Sequence, residues 1–341
     1  MFRNDRTNPS GSVGGWKGGR DLARGNPSTA VSNWLNGVSS GAPFGYTTTG
    51  SVTTRTHGIY TSLQWTGSGT WVVTGNPAGL TFDFFMIAGG GGGGVAHFTT
   101  NTYLGGGAGG GARNITGTTI PIGTITMQVP AGGVSAIYGT GSGGVNPGAN
   151  AQITYPDGSL VAAHGGGHGS SNNGGSSSSM NGGCGGGGGM GNSATGGTGN
   201  LGSFSPVEGY NGGNANTSYF LNGGGGGTPN RVGTSPGSSD GGTTGTQGED
   251  NFYADGNTGG TTPAVHHFGG GGASCGYGWS FEAKTNGYQN YGCTSAVLNT
   301  TPNNATANSG AGAGSSVNTN SAWYYSSGGS GTIIVRFVTP T

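Results

Sequence analysis

Two histidines four residues apart, His164 and His168 in "HGGGH", have the spacing that sets a zinc pair on one face of a helix. All three residues between them are glycine, which disfavours a helix. In an extended chain with three residues per turn the two rings face different ways, so no metal pair is expected. His266 and His267 are adjacent and would point to opposite faces of a strand; they read as a loop pair. Glu249, Asp250 and Asp255 in "GEDNFYADGNTGG" form an acidic cluster with the oxygen donors that calcium takes. The D-x-D-x-D-G spacing is missing, and the segment reads as a solvated acidic loop. Cys184, Cys275 and Cys293 are odd in number, so at most one disulfide forms within the chain. Cys184, inside "GGCGGGGG", reads as a small packing side chain. Cys275 and Cys293 could close a bridge across their loop.

G-x-S-x-G strings such as "GTSPG" occur, but none reads as the strand-to-helix elbow of a nucleophile, and there is no phosphate loop ending in G-K-[ST]. A G-x-G-x-x-G match carries no information among 86 glycines. No nucleophile stands with an oriented base, so neither enzyme activity nor a cofactor is expected. Lysine occurs only at 17 and 284, and formal net charge is zero, so nucleic acid is not an expected partner. No stretch of 18 apolar residues suggests membrane insertion. Met1 precedes no run of the kind a signal peptide needs, and secretion by that route is not expected.

The residue types with most to offer are aromatic. "HFTTNTY", "SYFL", "NFYAD", "CGYGWSFEAKTNGYQNYGC" and "AWYYSS" set Tyr, Trp and Phe among Asn, Ser, Thr and Gly. Binding loops share this composition, which combines rigid aromatic area with adaptable polar groups. The contact candidates are His97, Phe98, Tyr103, Tyr219, Phe252, Tyr253, Trp279, Tyr288, Tyr291, Trp323 and Tyr324. The competing reading is that these rings pack back onto the body as local core.

What must position them is unusual. The segments "AGGGGGGVAH", "GGGAGGGAR", "GGCGGGGGMG", "NGGGGGTP" and "FGGGGASC" are blocks of glycine, without the strict triplet of collagen. Gly/Ser linkers would be the ordinary reading, but these runs abut Phe85, Ile87, Leu104, Leu221 and Phe268. The alternative is an extended helix of three residues per turn, in which six glycines span roughly 19 Å. That helix has no internal hydrogen bonds, so its amides must pair with neighbouring runs. Recurrence of similar runs is what a packed bundle requires. Alanine at 91, 187 or 225 should then destabilise, with 310–314 more tolerant because "GAGAG" already admits alanine.

Strands frame these runs. "GIYTSLQW", "GTWVVTG" and "LTFDFFMI" read as strands, with "NPAG" at 76–79 as a turn. Alternation over 120–129 slips phase at Gly123, which suggests a turn or bulge. "AQITYPDGSLVAAHGGG" is a hairpin with "PDG" at its turn, and "GTIIVRFV" is the closing strand. There is no helical periodicity. The expected fold is mainly β: a short, sandwich-like β-framework with a packed bundle of polyglycine II helices and long surface loops. Residues 1–45 differ. Arg3, Arg6, Lys17, Arg20 and Arg24 are half of the ten basic residues, against Asp5 and Asp21. This segment reads as an attachment arm, and 46–341 as one glycine-rich body.

The succession "WTGSGTWVVTGNPAGLTFDFFMIAGGGGGG", "GGGAGGGARNITGTTIPIGTITMQVPAGG", "YPDGSLVAAHGGG" and "GGSGTIIVRFV" resembles the glycine-rich domain of bacteriophage tail-fibre and adhesin proteins. A related glycine-rich domain occurs in some animal receptor ectodomains. The resemblance covers about residues 60–341. It implies a virion protein whose distal loops bind a host surface glycan or outer-membrane protein. It also implies contact with other virion proteins, here assigned to residues 1–45, and a homotrimer or the cap of a trimeric fibre. The alternative is a decoration or assembly subunit without a receptor role. A cell-surface or secreted matrix protein is a third reading, disfavoured by the missing signal segment.

Overall fold

The computed structural model describes residues 44–97, 103–135, 146–171, 177–189, 195–216, 224–236, 243–257, 262–277, 281–283, 291–292, 294–295, 297–298, 304–318 and 325–340. In chain order its strands are β1 (Gly45–Thr48), β2 (Val52–His57), β3 (Tyr60–Trp65), β4 (Gly69–Gly75), β5 (Thr81–Ile87), β6 (Val95–His97), β7 (Tyr103–Leu104), β8 (Ala112–Thr119) and β9 (Gly123–Gln128). They continue with β10 (Ala151–Thr154), β11 (Leu160–Ala163), β12 (Glu249–Asp250), β13 (His267–Phe268), β14 (Cys275–Tyr277), β15 (Phe281–Ala283), β16 (Val297–Leu298), β17 (Ser316–Asn318) and β18 (Thr332–Val338). Ser177–Met180 forms a 3-10 turn. None of the described helices is long and apolar enough to cross a membrane.

Two five-stranded antiparallel sheets, ordered β1-β4-β9-β10-β11 and β2-β3-β18-β5-β8, share one core. Alternation along β5 explains how. Phe82, Phe84 and Met86 point between the sheets, where Trp65, Trp71, Ile125, Met127, Val335 and Phe337 meet them. Phe85 and Ile87 point the other way, against Ala254 and Phe268. The continuous apolar run "FFMI" is thus buried on both faces. Trp71 stacks on Phe337 and meets Phe82 edge-on. Phe44 also packs on Phe337, so the body begins by that residue.

The expected turns are present. β8 and β9 are separated at 120–122, and Gly123 takes a φ of +125°. At the "PDG" turn Gly158 has a φ of +84°, and its amide donates to the Tyr155 carbonyl. Gly117, at φ +67°, gives β8 an irregular step against β5 and donates to Asp83.

The glycine runs pair through their backbones. In 105–111 the amides of Gly105, Ala108 and Gly111 donate to Ser170, Gly167 and His164. Those of Gly106 and Gly109 donate to Gly224 and Gly227, and those of Gly107 and Gly110 to Ala313 and Gly310. Every third residue therefore meets the same neighbour, and three neighbours accept. Three more donate. Gly94, Gly91 and Ala88 reach the carbonyls of Gly105, Ala108 and Gly111, while Gly187 and Gly272 reach those of Gly106 and Gly107. One run is thus ringed by six others, closely enough that an added Cβ would overlap their carbonyls. At Gly107 it would lie 2.3 Å from the Gly91 oxygen.

Where the bundle stops, side chains complete the pairing. Asn150, Asn214, Asn181 and Asn211 accept, through Oδ1, from the amides of Gly165, Gly196, Thr198 and Gly199. Asparagine at these borders does what it does at a helix N-terminus, satisfying an orphan backbone donor.

Candidate functional site

The body has two ends. Ala88 and Gly111 pair beside the last residues of β5 and the first of β8, whereas Gly94 and Gly105 pair six residues further along the same runs. The excursion 95–104 therefore leaves and returns at the end remote from the sheets. Ser316 donates to Gly94 there, and β17 pairs with β6 and β16, so the segment after 318 departs from the same end. Gly224 pairs with Gly106 and Gly188, and Ala273 with Thr294 and Ser315, which puts their excursions there too. β7, β14 and β15 form a second small sheet at this end. The opposite end carries the β2–β3, β4–β5, β8–β9 and β10–β11 turns, together with Phe44 and Val338.

His97 and Tyr103 lie in β6 and β7 at the remote end. Phe98, Tyr219, Trp279, Tyr288, Trp323 and Tyr324 are outside the described residues, as are Arg3, Arg6, Lys17, Arg20 and Arg24. Three candidates lie elsewhere. Phe252 and Tyr253 belong to a strap, described over 249–257 and 262–268, that lies on the outer face of the second sheet through Ala254 and Phe268. Both are half-buried. The Tyr253 ring carries the Arg336 guanidinium 4.0 Å from its centroid, and Arg336 pairs with Asp83 at 2.7 Å. Tyr291 is only 4% exposed. Its ring meets His267, and its hydroxyl accepts from Gln247 at 2.7 Å.

The strap also collects the acidic cluster. His266 Nε2 lies 2.9 Å from Asp255, and His267 Nδ1 lies 2.5 Å from Asp250. The two histidines thus point to different partners, and the loop's partly exposed carboxylates form two ion-pair candidates. Burial opposes ionisation of Asp255, but the Asn257 amide and His266 hold its carboxyl below the usual range. No such partner faces Glu249 among the described residues. Burial, with the Asp250 charge beside it, pushes its carboxyl up to about 7.

His164 and His168 diverge to separate partners. His164 Nδ1 lies 2.8 Å from Glu208, whose fully buried carboxylate also accepts from the His164 and Gly202 amides. His168 is buried between the Gly169 carbonyl and Ser179, and burial lowers its pKa. Glu208 locks the segment 200–209 to the start of the 164–170 run, and the site is built to hold backbone in place. Among the described residues no three His, Cys, Asp or Glu side chains converge for a metal. Cys184 and Cys275 are free thiols. Cys275 accepts from Ser315, and burial pushes its thiol up to about 12. Cys293 lies outside the described residues.

Sequence reasoning passed over several exposed apolar residues. Leu201, Val207, Tyr210 and Val232 border the bundle, and Ile59, Ile122, Leu160 and Val338 lie at the turn end. At the bundle border the signal available was local: Leu201, Val207, Tyr210 and Val232 each stand beside Gly, Pro, Ser or Asn with no apolar neighbour on either side.

A family model for a glycine-rich domain matches residues 65–338, from the end of β3 to the end of β18. No curated protein matches the chain. The chain belongs to this glycine-rich domain family.

Proposed function

We propose that this member of the glycine-rich domain family is a bacteriophage fibre or fibre-tip adhesin. On this reading its loops between glycine runs bind a host surface glycan or outer-membrane protein. The observation that carries the proposal is the polarity of the body. The aromatic excursions 95–104, 217–223 and 319–324 are flanked by residues at one end, and 278–290 departs from that end. The residue through which the arm 1–43 joins, Phe44, is at the other. Such a division suits a protein held at one end and exposed at the other. The glycine runs are read as polyglycine II helices, a conformation that the three-residue period of their partners supports. Extended backbone without side chains brings many loops to one end at close spacing.

The arm is assigned to contact with other virion proteins, and the assembly to a homotrimer or the cap of a trimeric fibre. The test is binding of the purified full chain to a panel of candidate host cells. Adhesion to some strains, abolished by Trp323→Ala with Tyr324→Ala and kept by Ile59→Ser, is the expected result. If no strain is bound and the same double variant instead blocks incorporation into particles, the remote loops serve assembly.

A further inference from the structure

At the turn end, the β8–β9 connection and the β10–β11 hairpin enclose a depression of about 390 Å³. Its lining includes Thr118, Pro121, Ile122, Tyr155, Pro156 and Asp157. The walls are apolar, and Ile122 is 63% exposed. Asp157 stands at the lip. Its Oδ1 accepts from the Ser159 amide at 2.9 Å and from the Ser159 hydroxyl at 2.6 Å. These bonds keep the carboxyl below its ordinary range, so it is charged at neutral pH.

No ion pair among the described residues includes Asp157. Three described arginines are engaged elsewhere. Arg55 donates to Gln64, Arg113 to the Ala162 carbonyl and Arg336 to Asp83. A fixed negative charge therefore sits beside the half-buried Tyr155 ring and an apolar wall, with no cation paired to it among the described residues. A neutral ligand covering the depression would strip water from that carboxylate without replacing it, which is costly. A cation on an alkyl stem avoids this cost. The stem lies on the proline and isoleucine surfaces, as long basic side chains do, and the charge meets carboxylate and ring together.

We propose that this depression binds a lysine or arginine side chain presented by a partner protein at the turn end. The inference rests on the adhesin reading only for the identity of that partner, a virion component carrying the protein.

The test is isothermal titration of the full chain at low salt. The probes are the blocked tripeptides Gly-Lys-Gly and Gly-Arg-Gly, a Gly-norleucine-Gly control, and lactose. The cationic peptides are expected to bind saturably, and the control and the sugar to give no saturable signal. Asp157→Asn keeps an acceptor for Ser159 and should weaken binding about fivefold, the scale of an exposed charged contact. Ile122→Ser alters an exposed wall residue and should weaken it as well, with melting unchanged in both variants. Raised salt should also weaken it. The proposal is overturned if neither cationic peptide saturates, if Asp157→Asn binds as well as the parent, or if norleucine or lactose is preferred. Host cells play no part in this titration, so a failed adhesion assay leaves it intact.

Discussion

The sheet core and the glycine bundle solve the same problem with opposite means. Between the sheets, Trp65, Trp71, Phe84 and Phe337 fill space with side chains, and burial of each large apolar group stabilises by about 1.5–3 kcal/mol. In the bundle there is almost no side chain to bury. Neighbouring backbones take that space, and most amides find a carbonyl on another run. A typical hydrogen bond contributes only about 0.5–1.5 kcal/mol net, so many must form together. The lesson is that one chain contains a region intolerant of smaller residues and a region intolerant of larger ones.

The largest expected effect is on the side-chain half. Phe84→Ala should lower stability by about 3–5 kcal/mol in thermal or denaturant unfolding, since Phe84 is fully buried between the sheets. A loss below about 1 kcal/mol would mean that the core is loosely packed.

The strap joins both strategies, packing on the sheet through Phe268 and continuing into the bundle just beyond its two ends, where Thr246 and Gly271 pair. Its Glu249, pushed up to about 7, makes stability depend on pH. A carboxyl raised on folding binds its proton more tightly in the native state. Its contribution is complete below the unfolded value near 4.5 and is lost as pH rises through about 7. At roughly 1.4 kcal/mol per pKa unit the change is ~3 kcal/mol at most. Melting temperature should fall across this window, and Glu249→Gln should flatten the fall. An unchanged profile in the variant would place the pH dependence elsewhere.

Gly107→Ala probes the backbone half. The added methyl would meet backbone oxygens of Gly91 and Gly92 at 2.3 and 2.7 Å, and such overpacking costs about 1–3 kcal/mol. In a flexible linker the same change would be neutral or slightly stabilising, so the sign of the melting shift decides. The glycines are not equivalent. A Cβ at Gly91 or Gly187 would lie 2.0 or 1.9 Å from a carbonyl oxygen, whereas at Gly225 it would first meet the Thr243 hydroxyl at 3.0 Å. Gly225→Ala should therefore cost less than the other two. The expectation that 310–314 is more tolerant does not hold at Gly312, where the Gly107 oxygen is 2.1 Å away. Ala311 and Ala313 alternate with glycines that have no such room.

The smallest effect lies at the border. Asn211→Ala removes the acceptor from the Gly199 amide and should cost about 1 kcal/mol, as loss of a helix cap does. Asn211→Asp keeps an acceptor oxygen and should restore most of it. Equal losses in the two variants would show that the asparagine acts by something other than capping.

Much of the sheet framework was legible beforehand because strand signals are local. "LTFDFFMI" and "GTIIVRFV" alternate or run apolar over a strand's length, "PDG" supplies a turn, and Gly123 marks a phase slip. The strap was not legible. "GEDNFYADGNTGG" and "AVHHF" are 11 or more residues apart at their paired groups, and neither segment alone shows which histidine meets which carboxylate. Tyr291 looked like a loop ring, because burial against His267 depends on a contact that spacing cannot reveal.

By itself the sequence determined that this chain would be mainly β, that its glycine runs would be too many and too closely flanked by apolar residues to be linkers, and that its aromatics would sit between them. These follow from local preference and composition. Only the tertiary structure decided which runs are neighbours. Glycine carries no side chain by which one run could recognise another, so 105–111 has no sequence label pointing to 164–170 or 310–313. Those pairings are set by the strands and asparagine borders at the ends of each run, and they in turn decide which loops share the remote end.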